Sequence, residues 1–270
     1  MIEPIVSSHW LQTNYVKASV CDVRPGGRES WTGYLDGHLP GAAFVDLDAV
    51  LAGPPAPVLG RHPLPDPTQF AKSLGAMGIG SEATVIAYDD MGGAYASRLV
   101  WMLRVLGQPA ALLDGGRQAW KGVMERGQVA IDPVDRGIIS WPSEALADST
   151  TVAAHIAASG TVIDSRAPER YRGETEPLDK IAGHIPGAIN LPFAENLGGL
   201  GQFLPTDQLA ERFSSIKDPS PIVYCGSGVT ACHNALAIES TGRPLPRLYV
   251  GSWSGWSSED GRVIAVGDES

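Results

Sequence analysis

The chain is predicted to fold as α/β, with two tandem domains that each build a parallel sheet flanked by helices. Three observations predict it. The sequence contains itself twice. Within each copy, short apolar runs are followed by a turn and then by apolar residues at helical spacing. The 270 residues also suffice for two ordinary domains at roughly 100–200 residues each.

The duplication is read from four motifs that recur in the same order. The first copy has Val20-Cys21-Asp22-Val23-Arg24, then Gly37-His38-Leu39-Pro40-Gly41-Ala42, then Val85-Ile86-Ala87-Tyr88, then Leu113-Asp114-Gly115-Gly116 with Trp120. The second answers with Val162-Ile163-Asp164-Ser165-Arg166, Gly183-His184-Ile185-Pro186-Gly187-Ala188, Ile222-Val223-Tyr224, and Tyr249-Val250-Gly251-Ser252 with Trp256. The offset drifts only where loops differ in length. A Pro-rich insert in the first copy, Gly53 to Pro67, reads as a surface loop. Pro133, Gly137 and Pro142 mark a boundary with little periodicity. The expected division is a first domain over 1–136, a linker over 137–148 and a second domain over 149–270.

Each element has a local reason. Thr84-Val85-Ile86-Ala87-Tyr88 and Pro221-Ile222-Val223-Tyr224 are apolar runs of the kind buried on both faces of a parallel sheet. After the first run, Tyr95, Leu99, Met102, Leu103 and Leu106 recur at helical spacing; after the second, Val229, Cys232, Leu236 and Ile238 do the same. Ligands of such sheets bind beyond the carboxyl ends of the strands. The turns after Tyr88 and Tyr224 are therefore the places to look for chemistry.

Composition narrows the function classes. With 43% hydrophobic and 19% charged residues the chain has apolar mass for packed cores. Thirty acidic against twenty basic residues leave a formal charge of -10, which repels nucleic-acid phosphates and anionic lipid. Neither nucleic acid nor membrane is an expected partner. Met1 to Val20 lacks a basic region followed by an apolar run, and the cytoplasm is the expected location. Cys21, Cys225 and Cys232 fit neither a disulfide framework nor a metal site.

The two copies differ chemically after the tyrosine strand. Tyr88 is followed by Asp89-Asp90-Met91-Gly92-Gly93, and Tyr224 by Cys225-Gly226-Ser227-Gly228-Val229-Thr230. Two glycines let the second loop curl so that its N–H groups converge, and the helix that follows adds partial positive charge. That setting favours negative charge on the Cys225 sulfur.

The run from Cys225 to Cys232 resembles the active-site loop of the rhodanese family, in the branch that uses 3-mercaptopyruvate. The paired Asp-x-Arg and Gly-His-x-Pro-Gly-Ala motifs and the Gly251 to Trp256 stretch are similar to that family as well, so the likeness spans nearly the whole chain. It implies two tandem rhodanese-like domains, the first inactive and the second catalytic, which fits Asp89 in place of the cysteine. It further implies a sulfurtransferase that moves a sulfane sulfur from 3-mercaptopyruvate, through a persulfide on Cys225, to a thiol or to cyanide. The implied acceptor is a thiol such as a thioredoxin-like protein, and the chemistry requires no metal or organic cofactor.

The same resemblance distributes the roles. Cys225 is the nucleophile and Ser227 the relay of protons beside it. The loop residues Gly226, Gly228, Val229 and Thr230 solvate the persulfide, as an oxyanion hole would. Arg170, in Glu169-Arg170-Tyr171-Arg172-Gly173, matches the arginine that holds the donor carboxylate. Family members carry a second arginine shortly afterwards; here Glu176-Pro177-Leu178-Asp179-Lys180 offers only Lys180, and Lys180 or Arg172 is the candidate replacement. Gly226 and Ser227 are uncharged where thiosulfate-using members carry basic residues, which favours mercaptopyruvate over that dianion.

Other conspicuous residues take structural readings. His38 and His184 occupy equivalent positions, as do the Asp22–Arg24 and Asp164–Arg166 pairs, so each has a shared role in its own copy. Cys21 and Cys232 read as packing. A thiosulfate sulfurtransferase is the alternative enzyme, and a sulfur-carrier or interaction module the alternative outside enzymology. A phosphatase with the same strand–loop–helix unit needs an arginine where this chain has Ala231.

Overall fold

Both apolar runs that end in tyrosine are strands buried on both faces. In this computed structural model, which describes residues 2–268, the first unit contains β1 (Ile5–Val6), β2 (Ala18–Arg24), β3 (Ala43–Asp46), β4 (Thr84–Tyr88) and β5 (Ala110–Leu113). The second contains β6 (Leu146–Ala147), β7 (Val162–Asp164), β8 (Ile189–Asn190), β9 (Ile222–Tyr224) and β10 (Arg247–Tyr249). All pairings are parallel, in the order β1-β5-β4-β2-β3 and β6-β10-β9-β7-β8. The order is the same position for position, so the repeat in the sequence is a repeat of topology.

One unit comprises the described residues up to Gly53, Leu64–Pro142 and Gly199–Phe203; the other comprises Pro54–Pro63, Ser143–Gly198 and the described residues from Leu204 on. The Pro-rich insert is therefore more than a surface loop of the first copy. Its tip, with Pro57, Val58 and Leu59, is exposed, but Gly60 is buried in the second unit. Ala56 and Gly60 close a tight turn through reciprocal backbone hydrogen bonds of 3.3 and 2.8 Å. Gly60 has φ +80°, and a side chain there would collide with Gly251 O and with Ser254 Oγ. The absent side chain lets this segment lie on the 251–254 turn.

Helices cover the sheets as the spacing predicts. Ala96–Val105 follows β4, and Ala231–Glu239 follows β9. The latter is buried along Ala231–Ile238, including His233 and Asn234, which its apolar spacing alone did not reveal. Buried polar groups need partners, and Asn234 Nδ2 donates to Ser165 Oγ at 2.8 Å and to Leu191 O at 2.7 Å. The second core gathers Val162, Ile222, Tyr224, Tyr249, Trp253 and Trp256, and the first gathers Val20, Leu39, Ile86, Tyr88 and Leu113.

The repeated motifs do the same work in each unit. Arg24 pairs with Asp22 at 2.7 and 2.8 Å and Arg166 with Asp164 at 2.6 to 3.1 Å, every one of them buried. Each arginine also donates to the carbonyl before the motif histidine, Gly37 at 3.3 Å and Gly183 at 2.7 Å. The histidines are fully buried; Nδ1 of His38 bonds Glu125 O at 3.2 Å and Nδ1 of His184 bonds Tyr171 O at 2.8 Å. Among the described residues no helix is long and apolar enough to cross a membrane.

Candidate active site

Cys225 follows the last residue of β9 and is 2% exposed. Its N–H donates to Ser252 Oγ at 3.2 Å, and its carbonyl accepts from Trp253 N at 2.9 Å. Gly226 O accepts from Ser254 N at 2.9 Å. The turn after β10 thus clamps the loop from below. Sγ accepts from the Gly228 N–H at 3.2 Å. The amides of Ser227, Val229 and Thr230 have no protein acceptor among the described residues. Val229 is buried and Thr230 half-buried where the 231–239 helix begins.

The first unit uses the equivalent loop differently. Asp89 accepts four backbone N–H bonds, from Met91 (2.9 Å) and Gly93 (2.7 Å) on Oδ1 and from Tyr95 (2.8 Å) and Ala96 (2.9 Å) on Oδ2. Burial pushes this carboxyl group above its ordinary range, while the four amides pull it down. A side chain of the loop therefore fills the cradle that a sulfur atom occupies in the second unit.

Two side chains that the sequence reading did not single out stand over the Cys225 loop. His62 Nδ1 and Ser227 Oγ share a hydrogen bond of 2.8 Å. Arg61 N donates to Ser254 Oγ at 3.1 Å, and its guanidinium pairs with Asp179 through Nη1. Arg170 does reach the loop: a side chain on Gly226 would meet Arg61 Nη2 at 3.0 Å and the Nη atoms of Arg170 at 3.3 and 3.4 Å. Gly226 lets both guanidiniums lie against the backbone beside Cys225.

The arginines are held by carboxylates. Glu176 accepts from Arg170 Nε at 3.2 Å and Nη2 at 2.6 Å, and from Arg166 Nη1 at 3.2 Å. Burial alone would push the Glu176 carboxyl up; the bond from Arg170 and those from the Leu178 and Asp179 amides outweigh it and hold the group below its usual value. Asp179 lies 3.7 Å from Arg170 Nη2. Lys180 is exposed and, with Arg61, Asp179 and Ser254, lines a cavity of about 690 Å³ whose wall does not include Cys225. Arg172 is bonded to Glu174 at 2.7 and 3.0 Å, away from these groups.

The remaining cysteines are packed. Burial, and then Asp22, pushes the Cys21 thiol up to about 12. Cys232 is fully buried, its Sγ donating to Gly228 O at 3.4 Å beneath the loop. None of the three cysteines forms a disulfide.

A parallel α/β unit made twice, with a cysteine loop at the end of the central strand in the second copy, defines the class. The pattern of the Rhodanese-like domain matches residues 7–122 and 148–259, and the chain belongs to that family. It is similar to a Pseudomonas aeruginosa protein named a probable 3-mercaptopyruvate sulfurtransferase, 45% identical over 247 residues, which are 87% of this chain and 86% of the relative. A Mycobacterium tuberculosis relative, provisionally named a thiosulfate sulfurtransferase, is 38% identical over 92% of this chain and 91% of its own length. Among solved structures, the 3-mercaptopyruvate sulfotransferase SseA from Escherichia coli superposes with a TM-score of 0.79 at 30% identity, over 93% of this chain and 99% of that one.

Proposed function

We propose that the chain is an enzyme, a sulfurtransferase that takes the sulfur of 3-mercaptopyruvate onto Cys225 and passes it to a thiol or to cyanide. The observation that carries this reading is the convergence on Gly226 and Ser227: two guanidiniums against one and a histidine on the other, beside a sulfur held by a loop amide. The names of the relatives support it. In the first half-reaction the Cys225 thiolate attacks the donor sulfur. An S–S bond forms, the C–S bond breaks, and its electron pair leaves on the three-carbon enolate. The proton of the donor thiol ends on the enolate carbon, giving pyruvate and the Cys225 persulfide anion. Ser227 and His62 are placed to relay that proton. The amides of Ser227, Val229 and Thr230 are the donors available to the outer sulfur. An acceptor thiolate then attacks that sulfur and regenerates Cys225.

Charge balance supports mercaptopyruvate as the donor. The absence of cations within the loop suggested this, yet Arg61 and Arg170 bring two cations to it from elsewhere. Glu176 and Asp179 balance them, so the cluster is formally neutral. A neutral receptor suits one carboxylate better than a compact dianion. We place the enzyme in the cytoplasm, with a thioredoxin-like dithiol as acceptor and the first unit, carrying Asp89, catalytically inert. The test is kcat/KM for 3-mercaptopyruvate and thiosulfate side by side, with intact mass of the donor-treated protein. Mercaptopyruvate should be preferred and should add one sulfur atom at Cys225. Equal or better use of thiosulfate would move the protein to the other branch.

A further inference from the structure

We infer that Ser252 is a positioning residue for Cys225: its hydroxyl holds the backbone N–H of the sulfur-bearing residue from a strained turn that the first copy builds with glycine. The inference rests on the reading of Cys225 as the sulfur carrier. Among the described residues two non-glycine residues have positive φ, Ser159 and Ser252. Ser159 is exposed just past the helix Ser149–Ala157, a common place for this conformation. Ser252, with φ +51°, is fully buried in the turn after β10. A Cβ in that region of φ costs free energy, which the surrounding contacts have to outweigh. The contact that Ser252 offers and glycine does not is made by its Oγ, which accepts from Cys225 N at 3.2 Å and donates to Tyr249 O at 2.9 Å.

The first unit makes the same turn without a side chain. Gly116 holds the place of Ser252 in the repeat, as Asp89 holds that of Cys225, and its φ is nearly the same, +52°. Both turns grip their loop by one backbone bond: Arg117 N donates to Asp89 O at 3.0 Å, as Trp253 N does to Cys225 O at 2.9 Å. A side chain at 116 would collide with Asp89 O, so that turn lies too close to its loop to hold one. In the second unit the same place admits the Cβ and Oγ of Ser252. One turn therefore holds Cys225 at both its N–H and its C=O, and holds Gly226 O through the Ser254 amide. The sulfur of a residue fixed at both backbone groups moves only about its Cα–Cβ bond, which keeps it in reach of the Gly228 N–H at 3.2 Å. Asp89 needs no such tie, because its own side chain takes four amide bonds. A sulfur that alternates between free and persulfidated forms lacks that anchor, and a displacement of about 1 Å can cost roughly a hundredfold in rate.

Single-turnover persulfidation of Cys225 by 3-mercaptopyruvate, followed by intact mass in the full chain, tests this role in Ser252→Gly and Ser252→Ala, with the urea midpoint of each protein measured beside it. Glycine takes the φ of this turn freely, as Gly116 does, but has no hydroxyl; alanine keeps the strain and loses the hydroxyl. Ser252→Gly should lower the limiting rate constant about tenfold or more. Its half-saturating concentration should change by less than about threefold, and loading should still reach one sulfur per chain. Ser252→Ala should lose as much rate, and its midpoint should fall below that of Ser252→Gly. A merely structural serine behaves otherwise: partial unfolding reduces the fraction of chains that load and leaves the rate constant of the rest untouched. Ser252→Gly with a wild-type rate constant, or with a loss confined to the half-saturating concentration or to the loaded fraction, would overturn the role of Ser252. Should the alanine variant not fold, the glycine variant decides the matter alone. Wild-type protein that gains no sulfur from mercaptopyruvate would instead overturn the reading of Cys225, and the role of Ser252 with it.

Discussion

His62 Nδ1 lies 2.8 Å from Ser227 Oγ, across 165 residues of sequence, and Ser227 is two residues from the cysteine whose sulfur the loop holds. A segment that belongs by sequence to the first repeat thus furnishes a titratable group at the second repeat's loop. The corresponding loop of the first unit is closed on itself by the four amide bonds to Asp89. One copy spends its cradle on its own carboxyl group, and the other leaves it to a sulfur.

If His62 and Ser227 relay one proton, they act as a unit. His62→Asn and Ser227→Ala should each lower kcat with mercaptopyruvate by about a hundredfold, within the usual range for proton-transfer groups. The double variant should be no slower than the worse single variant, because the second change removes nothing that remains. Steady-state kcat of the four proteins checks this; losses that multiply would show that the residues act separately.

Alkylation should single out one thiol. Cys21 is fully buried with its thiol pushed up to about 12 by burial and by Asp22, and Cys232 is fully buried under the loop. Cys225 is also buried, at 2% exposed, but it stands at the strand end in the loop that carries Ser227 and meets Arg61 and Arg170. Limiting iodoacetamide at neutral pH should place one carbamidomethyl group on Cys225 and abolish turnover in proportion. Prior loading with mercaptopyruvate should move the label onto the persulfide sulfur, and peptide mass mapping distinguishes these outcomes.

The duplicated fold was legible because the residues that announce it are doing identical work twice. Asp164–Arg166 and Asp22–Arg24 are short-range pairs, and the tyrosine runs are strands, so spacing alone revealed them. The Cys225 loop was legible because it combines glycines with a thiol at a strand end. Arg61 and His62 were not, since their partners are distant in sequence and their segment looks like an ordinary Pro-rich loop. The available signal was a Gly-Arg-His run amid Pro and Ala, without counterpart in the second copy. Glu176, six residues after Arg170, lies outside any helical register that would have announced the pair.

Asp89 should be a stability residue of the first unit. Asp89→Asn keeps the shape but turns one acceptor oxygen into a donor nitrogen facing two N–H groups. Buried donors left unpaired cost about 1–3 kcal/mol each, so the variant should lose on the order of 3 kcal/mol. The urea midpoint of the transition that reports the first unit measures it. A midpoint equal to wild type would mean that the four bonds contribute little net stability.

Glu176 sets an acid limit on the second unit. Its carboxyl group is held below its usual value because the bonds from Arg170 and the Leu178 and Asp179 amides outweigh the opposing effect of burial. A folded-state value below the unfolded one stabilises the fold fully above the unfolded value, and the gain fades as pH falls through the folded value. At neutral pH, Glu176→Gln should therefore cost on the order of 2–3 kcal/mol, because Arg166 and Arg170 lose the anion they share. As pH falls from the ordinary glutamate value of roughly 4.3 through the lower folded-state value, the difference between wild type and variant should shrink toward zero, since the wild-type carboxylate is neutralised only there. Urea midpoints of both proteins at several pH values test this. A difference that stays constant down to pH values well below the ordinary carboxylate range would show that Glu176 contributes through packing and not through its charge.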